Sequence, residues 1–261
     1  KIEETISGGS VANSIVGLAQ LGNNVGFIGK VNNDEFGQKY ENGLINEKVK
    51  YLYEKKEEKI PTGSCLILIT PDSERTMCTF LGTAGKINDT DIKKEYIQSA
   101  EIIFLEGYLW DEGDPKKAFD KAIMHSKKIA MSLSDLFCVN RHKPHFLELV
   151  KNQLNIIFAN EQEILSLIDA KDFQEAVSFS KQIKKNIVIT RGERGAISVN
   201  GDEIIEVNAQ SDLNIKDLTG AGDLFAAGYL HGVINNLDTK ECLIKGTELS
   251  SKIIQKIGAR I

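Results

Sequence analysis

The sequence has few of the residues that mark secreted, membrane or zinc-stabilised proteins. It contains 4 cysteines and 4 prolines among 261 residues, and no two cysteines form a C-x-x-C pair. This spacing indicates reduced thiols rather than a disulfide framework or a structural zinc site. No apolar run approaches the roughly 18 residues that a membrane-spanning helix needs, and no signal-peptide pattern begins the chain. We therefore expect a cytoplasmic protein with no membrane partner.

Positive charge is not in excess either. The chain has 32 Lys and Arg against 37 Asp and Glu, which gives a formal net charge of −5. This balance argues against a general nucleic-acid binder, although it allows a local basic pocket for a phosphorylated ligand. A content of 41% apolar and 26% charged residues is typical of a globular protein. A chain of this length is enough for one α/β domain.

Two common phosphate-binding loops are missing from the sequence. No segment matches the G-x-x-x-x-G-K-[ST] loop, and the nearest approach to G-x-G-x-x-G is the late, incomplete GERG at Gly192 to Gly195. The remaining candidate is GAG at Gly220 to Gly222, which precedes the apolar run LFAAGYL. A glycine-rich loop that opens into a helix presents free N–H groups and the positive end of the helix dipole to an anion.

An acid follows this loop at once, and a carboxylate would repel the same anion. The conflict is resolved if a phosphoryl group moves from a nucleotide to a hydroxyl. The N–H groups of Gly220, Ala221 and Gly222 would then hold the developing charge, while Asp223 takes the proton of the attacking hydroxyl. The alternative is an ordinary helix start with an acid in its first turn.

Short β-rich runs alternate with helical patterns along the chain. The pattern predicts strands over 25–31, 101–107, 128–134, 154–160 and 186–192, hairpins over 64–81 and 196–208, and helices over 34–46, 223–235 and 239–257. Such alternation is typical of an α/β fold whose central, mostly parallel sheet has helices on both faces. Ligands bind beyond the carboxyl ends of such strands, so we expect loops 132–135, 160–163, 190–195 and 217–223 to meet at one edge.

Four ordered motifs resemble the ribokinase-like, or PfkB, family of sugar and nucleoside kinases. They are GGSVANSIVGLAQLG with the following FIGKVNNDEFG (8–37), NEQE (160–163), TRGERG (190–195) and DLTGAGD (217–223). GGSVANS, PTGSC and SLSDLF are most similar to adenosine kinases and their bacterial relatives. The resemblance implies a single ribokinase-like kinase domain over residues 1–261, with a small β lid contributed by roughly residues 50–82.

The resemblance also implies the reaction. A kinase of this family would move the γ-phosphate of ATP, with Mg²⁺ present, to a primary hydroxyl of a small molecule. We expect an adenosine-like nucleoside as acceptor, and the alternative is a sugar such as ribose or fructose. A rival of another class is a catalytically silent nucleotide- or sugar-sensing module on the same fold. Neither nucleic acid nor membrane is expected as a partner, and the protein would be a monomer or a homodimer.

The resemblance also implies a role for each residue that matches a family motif. The catalytic group would be the base Asp223, the anion loop of Gly220, Ala221 and Gly222, and Arg75 from the lid. Acceptor contacts would come from Gly8, Gly9, Ser10, Asn13, Cys65 and Phe137, and Phe137 would stack on a base. ATP would lie against Thr190, Gly192, Gly195 and Gly222. Asn160 and Glu163 would position Mg²⁺ through water, and Asp217 would shape the anion loop near a possible monovalent cation.

Several of these residues also have plain structural interpretations. Ser10 fits a helix N-cap, and Asn160 with Glu163 fits a helix start. Phe137 fits a core aromatic, Cys65 a small core residue, and Arg75 a solvated hairpin arginine.

The chain also departs from the family pattern at three points. Leu218 replaces a Thr or Ser of the anion loop, so one hydroxyl is lost. Asn32 replaces a Gly, and we expect it to adopt the positive φ that Asn tolerates. The family strand and substrate-binding Asp upstream of Gly8 are not in the sequence, so we expect the chain to lack its N-terminal segment.

Overall fold

The computed structural model describes residues 5–70, 75–110 and 113–261, apart from the side chains of Ile69 and Arg75. Its strands are β1 (Gly26–Phe27), β2 (Lys50–Tyr51), β3 (Ser64–Ile69), β4 (Arg75–Phe80), β5 (Ile103–Glu106), β6 (Ile129–Ser132), β7 (Ile156–Asn160), β8 (Asn186–Thr190), β9 (Ala196–Asn200) and β10 (Glu203–Val207). Its helices are α1 (Ser10–Gln20), α2 (Glu35–Asn46), α3 (Lys94–Ser99), α4 (Asp114–His125), α5 (Leu136–Asn152), α6 (Glu161–Ile168), α7 (Phe173–Ile183), α8 (Ala221–Ile234) and α9 (Thr239–Ile253).

The centre of the molecule is a six-stranded sheet in the order β10-β9-β8-β7-β6-β5. Strands β5 to β8 run parallel, and the β9–β10 hairpin continues the sheet antiparallel to β8. Within the register, Glu106 pairs with Ser132 and Asn160 pairs with Thr190. These four residues end their strands, so the carboxyl edge of the sheet carries Glu106, Asn160 and Thr190 together. The predicted mixed α/β sheet is confirmed.

Alternate residues of the central strands pack into two separate apolar clusters. Met131 and Ile157 pack in the cluster that includes residues of α4 to α7, whereas Ala130 and Ile156 pack in the cluster that includes residues of α1, α8 and α9. Successive side chains of a strand point to opposite faces, so a strand buried on both faces reads as a continuous apolar run. The helices therefore cover both faces of the sheet, as predicted.

Close packing of α1 on α8 positions the candidate site. Helix α8 is buried on almost every side, and Gly17 of α1 faces it so closely that a Cβ there would lie 2.7 Å from Leu224 Cδ1. Gly228 does the same for α9, since its Cβ would lie 2.3 Å from the Lys245 carbonyl oxygen. These small residues fix the first turns of α1 and α8 side by side.

The predicted β3–β4 hairpin is confirmed, and it forms a sheet of its own. Its predicted turn, 71–74, lies outside the described residues. Apolar side chains are exposed along both strands, including Leu66, Leu68, Met77 and Phe80. Cys65 is exposed as well, so its prediction as a small core residue is wrong. Each face of a two-stranded sheet needs a partner, and nothing in the described chain buries this one.

The segment 25–63 leads to this hairpin and differs from its prediction. The predicted strand over 25–31 forms only the two residues of β1, which pair with β2 in parallel. Asn32 does not take a positive φ. Its buried side chain instead donates to the carbonyls of Glu58 and Ile60, both at 3.1 Å. The expectation of a left-handed Asn32 is therefore wrong, because its amide is used to hold the connection to the hairpin.

Helix ends differ from the predictions by a few residues. Helix α8 begins at Ala221, two residues before the predicted start, and α9 ends at Ile253 rather than at residue 257. Helix α2 begins at Glu35, one residue after the predicted start, and Asp34 is its N-cap, with its side chain accepting from the Gly37 N–H at 2.8 Å. Within the described ranges, no helix has the length and apolar character needed to cross a bilayer.

Candidate active site

The first turns of α1 and α8 bring together residues that lie 210 positions apart in the chain. The Ser10 hydroxyl lies 2.5 Å from Asp223 Oδ1, and Asn13 Nδ2 donates to Asp223 Oδ2 at 2.8 Å. The carboxylate is half-buried. Each carboxylate oxygen has two lone pairs and can accept more than one hydrogen bond. The two motifs at opposite ends of the sequence therefore form one site.

Ser10 is the first residue of α1 and not its cap. The N-cap position belongs to Gly9, which has a φ of 98°, and no side chain of the described region caps this helix. The structural interpretation of Ser10 as an N-cap is therefore wrong. Gly8 has open space where a Cβ would stand. The Ser10 hydroxyl is used instead to join α1 to the acids of two other elements.

The second of these acids is Glu106, which sequence reasoning missed. It is the last residue of β5, it is only 8% exposed, and its Oε1 is in hydrogen-bond contact with the Ser10 hydroxyl. Burial, together with the nearby charge of Asp223, raises the pKa of Glu106 to about 8. The available signal was an acid at the end of an apolar strand, at the edge where the motif loops were expected to meet.

Arg260 is a second residue that no motif revealed. Its Nε donates to Asn13 Oδ1 at 3.0 Å, which leaves the Nδ2 of the same amide to face Asp223. Burial lowers the pKa of the Arg260 guanidinium. Asn13, predicted to contact the acceptor, is 5% exposed and holds the carboxylate in place.

The start of α8 has the openness that an anion site requires. Gly220 stands at the N-cap position with a φ of 79°, and no side chain of the described residues caps the helix. A Cβ on Gly222 would meet nothing within 4 Å, so the approach to the first turn is clear. The first N–H groups of a helix have no acceptor within the helix itself. The Ala221 N–H donates to the Leu218 carbonyl at 3.3 Å, so an anion would have to replace this bond to use that donor. The predicted main-chain cradle of Gly220, Ala221 and Gly222 stays a prediction.

Asp217 organises the loop that leads to this helix start. Only 1% exposed, it accepts hydrogen bonds from the Thr219 N–H at 2.9 Å, the Thr219 hydroxyl at 2.6 Å and the Gly258 N–H at 2.9 Å. Thr219 therefore supplies the loop with a hydroxyl next to the position where Leu218 lacks one. Leu218 itself is 41% exposed.

Asn160 and Glu163 form a reciprocal cap at the start of α6. Asn160 Oδ1 accepts from the Glu163 N–H at 2.9 Å, and Glu163 Oε2 accepts from the Asn160 N–H at 2.9 Å. Burial raises the pKa of the Glu163 carboxyl to about 7. Asn160 and Glu163 therefore form the helix cap that the structural interpretation predicted. Among the described residues, no group of three or more His, Cys, Asp or Glu side chains has the arrangement of a metal site.

The predicted nucleotide loop follows β8. Thr190 ends this strand, and Gly192 has a φ of 58° with open space around it. Gly195 serves a different need, because a Cβ there would lie 2.0 Å from the Val207 carbonyl oxygen. Arg191 is held beside the loop by an ion pair of 3.0 Å with Glu161.

Phe137 lies in the first turn of α5 and is 78% exposed. The alternative that it is a core aromatic is therefore wrong. Tyr108 is 41% exposed, and its hydroxyl donates to the Ser134 carbonyl at 3.2 Å on the segment before α5. Of the remaining predicted residues, Cys65 is exposed with its Sγ 3.3 Å from Thr79 Oγ1, and the Arg75 side chain lies outside the described residues.

A doubly covered, mostly parallel sheet that places a carboxylate beside a glycine-rich helix start has the parts that phosphoryl transfer to an alcohol needs. The family model for pfkB family carbohydrate kinases matches residues 3–261, and the chain belongs to this family.

Solved structures and curated proteins similar to this chain include both nucleoside and sugar kinases. The adenosine kinase of Sinorhizobium meliloti is 34% identical with a TM-score of 0.94, over 97% of this chain and 79% of that one. A probable sugar kinase protein of Rhizobium etli CFN 42 is 35% identical with a TM-score of 0.91, over 97% and 78%. A 5-dehydro-2-deoxygluconokinase of Geobacillus kaustophilus is 26% identical over 274 residues, or 97% of this chain and 82% of the relative. These similarities support the family and the ribokinase-like fold.

Proposed function

We propose that this kinase transfers the γ-phosphoryl group of ATP to a primary hydroxyl of a nucleoside similar to adenosine. The observation that carries the proposal is the placement of the Asp223 carboxylate, held by Ser10 and Asn13 at 2.5 and 2.8 Å, beside the uncapped start of α8. A general base and a set of oxyanion donors are thereby next to each other, as an in-line transfer requires.

In this reaction Asp223 accepts the proton of the acceptor hydroxyl while that oxygen attacks the γ-phosphorus. The bond from the γ-phosphorus to the bridging oxygen of ATP breaks, and ADP leaves. The N–H groups of Gly220, Ala221 and Gly222 stabilise the charge that develops on the transferring group. Hydrogen bonds from Ser10 and Asn13 keep Asp223 ionised and oriented, because donors favour the charged form of a carboxylate.

Nucleotide phosphates would lie between this helix start and the loop after β8. Gly192 and Gly222 both have open space where a Cβ would stand, so main chain is accessible at each. Thr190 and Gly195 border the same loop. Arg75 stays a predicted contact to the transferring phosphate.

Direct ligation of Mg²⁺ by Glu163 fits poorly, because both of its oxygens bond to Asn160 and burial raises its pKa to about 7. An ion held through water fits better, since Asn160 is exposed and a cation nearby would favour the ionised form of Glu163. When bound, Mg²⁺ neutralises the charge of the phosphates. A monovalent cation near Asp217 stays a prediction, as does the oligomeric state.

The nucleoside is preferred over a sugar because of Phe137. An aromatic ring that is 78% exposed at the sheet edge offers a face on which a purine stacks. A small sugar has less apolar surface to offer such a ring. Similarity to kinases of both kinds keeps the sugar as the second candidate.

The base assignment is tested by Asp223→Asn. The amide keeps the size of the side chain but does not take a proton, so we expect turnover to fall by about 100- to 10,000-fold. ATP affinity, measured by calorimetry, should stay within a few-fold of the wild-type value. Turnover near the wild-type level would rule out Asp223 as the base.

The acceptor is tested by an assay with ATP and Mg²⁺ against adenosine, other nucleosides, ribose and fructose. In Phe137→Ala we expect kcat/KM for a nucleoside to fall about tenfold or more, because stacking contributes about 1–3 kcal/mol per base. Activity on a sugar should change little. Phe36→Ala is the matched control, since Phe36 is a 49% exposed aromatic on α2.

Equal losses for nucleoside and sugar in Phe137→Ala would favour the sugar kinase. Tight nucleotide binding without turnover on any acceptor of the panel would favour the silent sensing module.

A further inference from the structure

We propose that Glu106 acts as a protonated positioning residue that donates its own hydrogen to Ser10 and thereby directs the Ser10 hydrogen onto Asp223. This inference deepens the proposed function and rests on Asp223 being the base. Its effect on the base would pass through Ser10.

The hydrogen count at Ser10 carries the argument. Its oxygen contacts Glu106 Oε1 on one side and Asp223 Oδ1, at 2.5 Å, on the other. A hydroxyl has one hydrogen to donate, and an ionised carboxylate has none. With both acids ionised, one of the two contacts would join two acceptors. A proton on Glu106 satisfies both contacts, in the order Glu106 to Ser10 to Asp223.

Asp223 is the better candidate for the ionised member of the pair. Asn13 donates to it at 2.8 Å, the charge of Arg260 is near enough to interact with it, and it lies in the positively polarised first turn of α8. Glu106 is 8% exposed at the end of β5, where burial opposes a charge.

The groups around Glu106 come from several elements. Asp223 of α8 faces it, as do Tyr40 of α2 and Tyr108 after β5, and the Val11 N–H of α1 donates to it. Burial raises the pKa of both tyrosines well above neutrality, so neither supplies a charge there. The Arg260 charge interacts with Tyr40 and Asp223. The negative charge of Asp223 thus adds to burial in holding a proton on Glu106 up to a pH of about 8.

The arrangement has a consequence for the reaction. Below the pKa of Glu106, the Ser10 hydrogen points to Asp223, and both Asp223 oxygens are oriented by donors. Above it, Glu106 is ionised and competes for the Ser10 hydrogen, and a second negative charge appears beside the base. The acceptor proton still goes to Asp223 in either state, but the geometry that places the base is lost. We expect kcat/KM to fall above this pKa, by at most about tenfold per pH unit, and to level off at the lower activity of the form in which Glu106 is ionised.

Glu106→Gln tests the inference because its amide N–H₂ donates to Ser10 at every pH. We expect this variant to keep at least about a third of the wild-type kcat/KM at pH 7 and to lose the alkaline fall near pH 8. Glu106→Leu, which has similar size but neither donor nor charge, should lose more of the kcat at pH 7 than Glu106→Gln, because nothing then fixes the Ser10 oxygen on that side, and it should also lack the alkaline fall. Glu248→Gln on α9 is the control and should keep the wild-type pH profile. Thermal unfolding of each variant identifies any that do not fold.

An infrared difference spectrum provides a readout that does not depend on turnover. At neutral pH the wild-type protein should show a protonated carboxyl C=O band that is absent from Glu106→Gln and disappears above about pH 8. An unchanged alkaline limb in Glu106→Gln, or no such band at neutral pH, would overturn the inference. Neither result would affect the Asp223→Asn experiment, so the failure of this inference and the failure of the proposed function can be told apart.

Discussion

Two helices begin near the carboxyl edge of the sheet, and their first turns are built in opposite ways. Helix α6 is closed, because Asn160 and Glu163 satisfy each other's backbone N–H groups at 2.9 Å. Helix α8 is open, because Gly220 supplies no side chain and Gly222 leaves clear space in front of the first turn. Both have an acid near the start: Glu163 accepts from the backbone of its own helix start, whereas Asp223 is bound by Ser10 and Asn13 of α1.

The difference shows how one structural rule serves two purposes. A helix start must find acceptors for its first N–H groups, from a side chain, water or a ligand. A reciprocal cap provides them permanently and stabilises the helix by about 1 kcal/mol. A bare glycine start leaves them to an incoming anion and gives up that stabilisation. The open helix is held instead by its packing between α1 and α9.

The largest effect is expected when the open helix start is changed by Gly220→Ala. Gly220 has a φ of 79°, and a Cβ there would lie 2.9 Å from Ala259 Cβ and 3.0 Å from Ala259 Cα, so the loop has to move. We expect kcat to fall by about 100-fold, because displacing one oxyanion donor has an effect of this size. Steady-state kinetics with ATP and the best acceptor would measure it.

Gly22→Ala is the matched control for the backbone strain. Gly22 has a similar φ of 84° at the end of α1, but nothing lies within 4 Å of its Cβ position. Both variants should lose about 1–2 kcal/mol of stability from the left-handed conformation. If Gly220→Ala lost stability like Gly22→Ala and kept its turnover, the α8 start would not hold the transferring group.

The sequence predicted those strands and helices whose apolar residues are in fact buried. Strands β5 to β8 are apolar runs buried on both faces, and the GAG loop precedes a helix with apolar residues on every side. The convergence of GGSVANS with GAGD was available because the two motifs occur together in one family. The sequence alone therefore indicated that these two motifs belong to one site.

Residues that act through long-range contacts gave no such signal. Glu106 and Arg260 lie outside every motif, and their importance comes from which residues the packing of α1 places next to them. Cys65 failed for a related reason, because an apolar strand was assumed to be buried. The β3–β4 hairpin instead exposes its apolar side chains, and a local pattern does not report what covers a strand.

A smaller test opens the closed helix start with Asn160→Ala. The variant removes the acceptor for the Glu163 N–H and the donor, at 2.6 Å, to Glu163 Oε1. We expect a loss of about 1 kcal/mol in the free energy of unfolding, as for other N-caps. If Asn160 also holds Mg²⁺ through water, the Mg²⁺ concentration for half-maximal activity should rise by about tenfold, because outer-shell partners contribute to metal affinity on this scale.

Asp172→Ala separates the two roles of Asn160. Asp172 caps α7 by accepting from the Glu175 N–H at 3.0 Å, and it belongs to none of the predicted site loops. Its loss should lower stability by a similar amount and leave the Mg²⁺ dependence unchanged. Should Asn160→Ala behave in the same way, the reciprocal cap would be a structural device alone, and the metal assignment would pass to other residues. A shift in Mg²⁺ dependence confined to Asn160→Ala would show that even the closed helix start contributes to phosphoryl transfer.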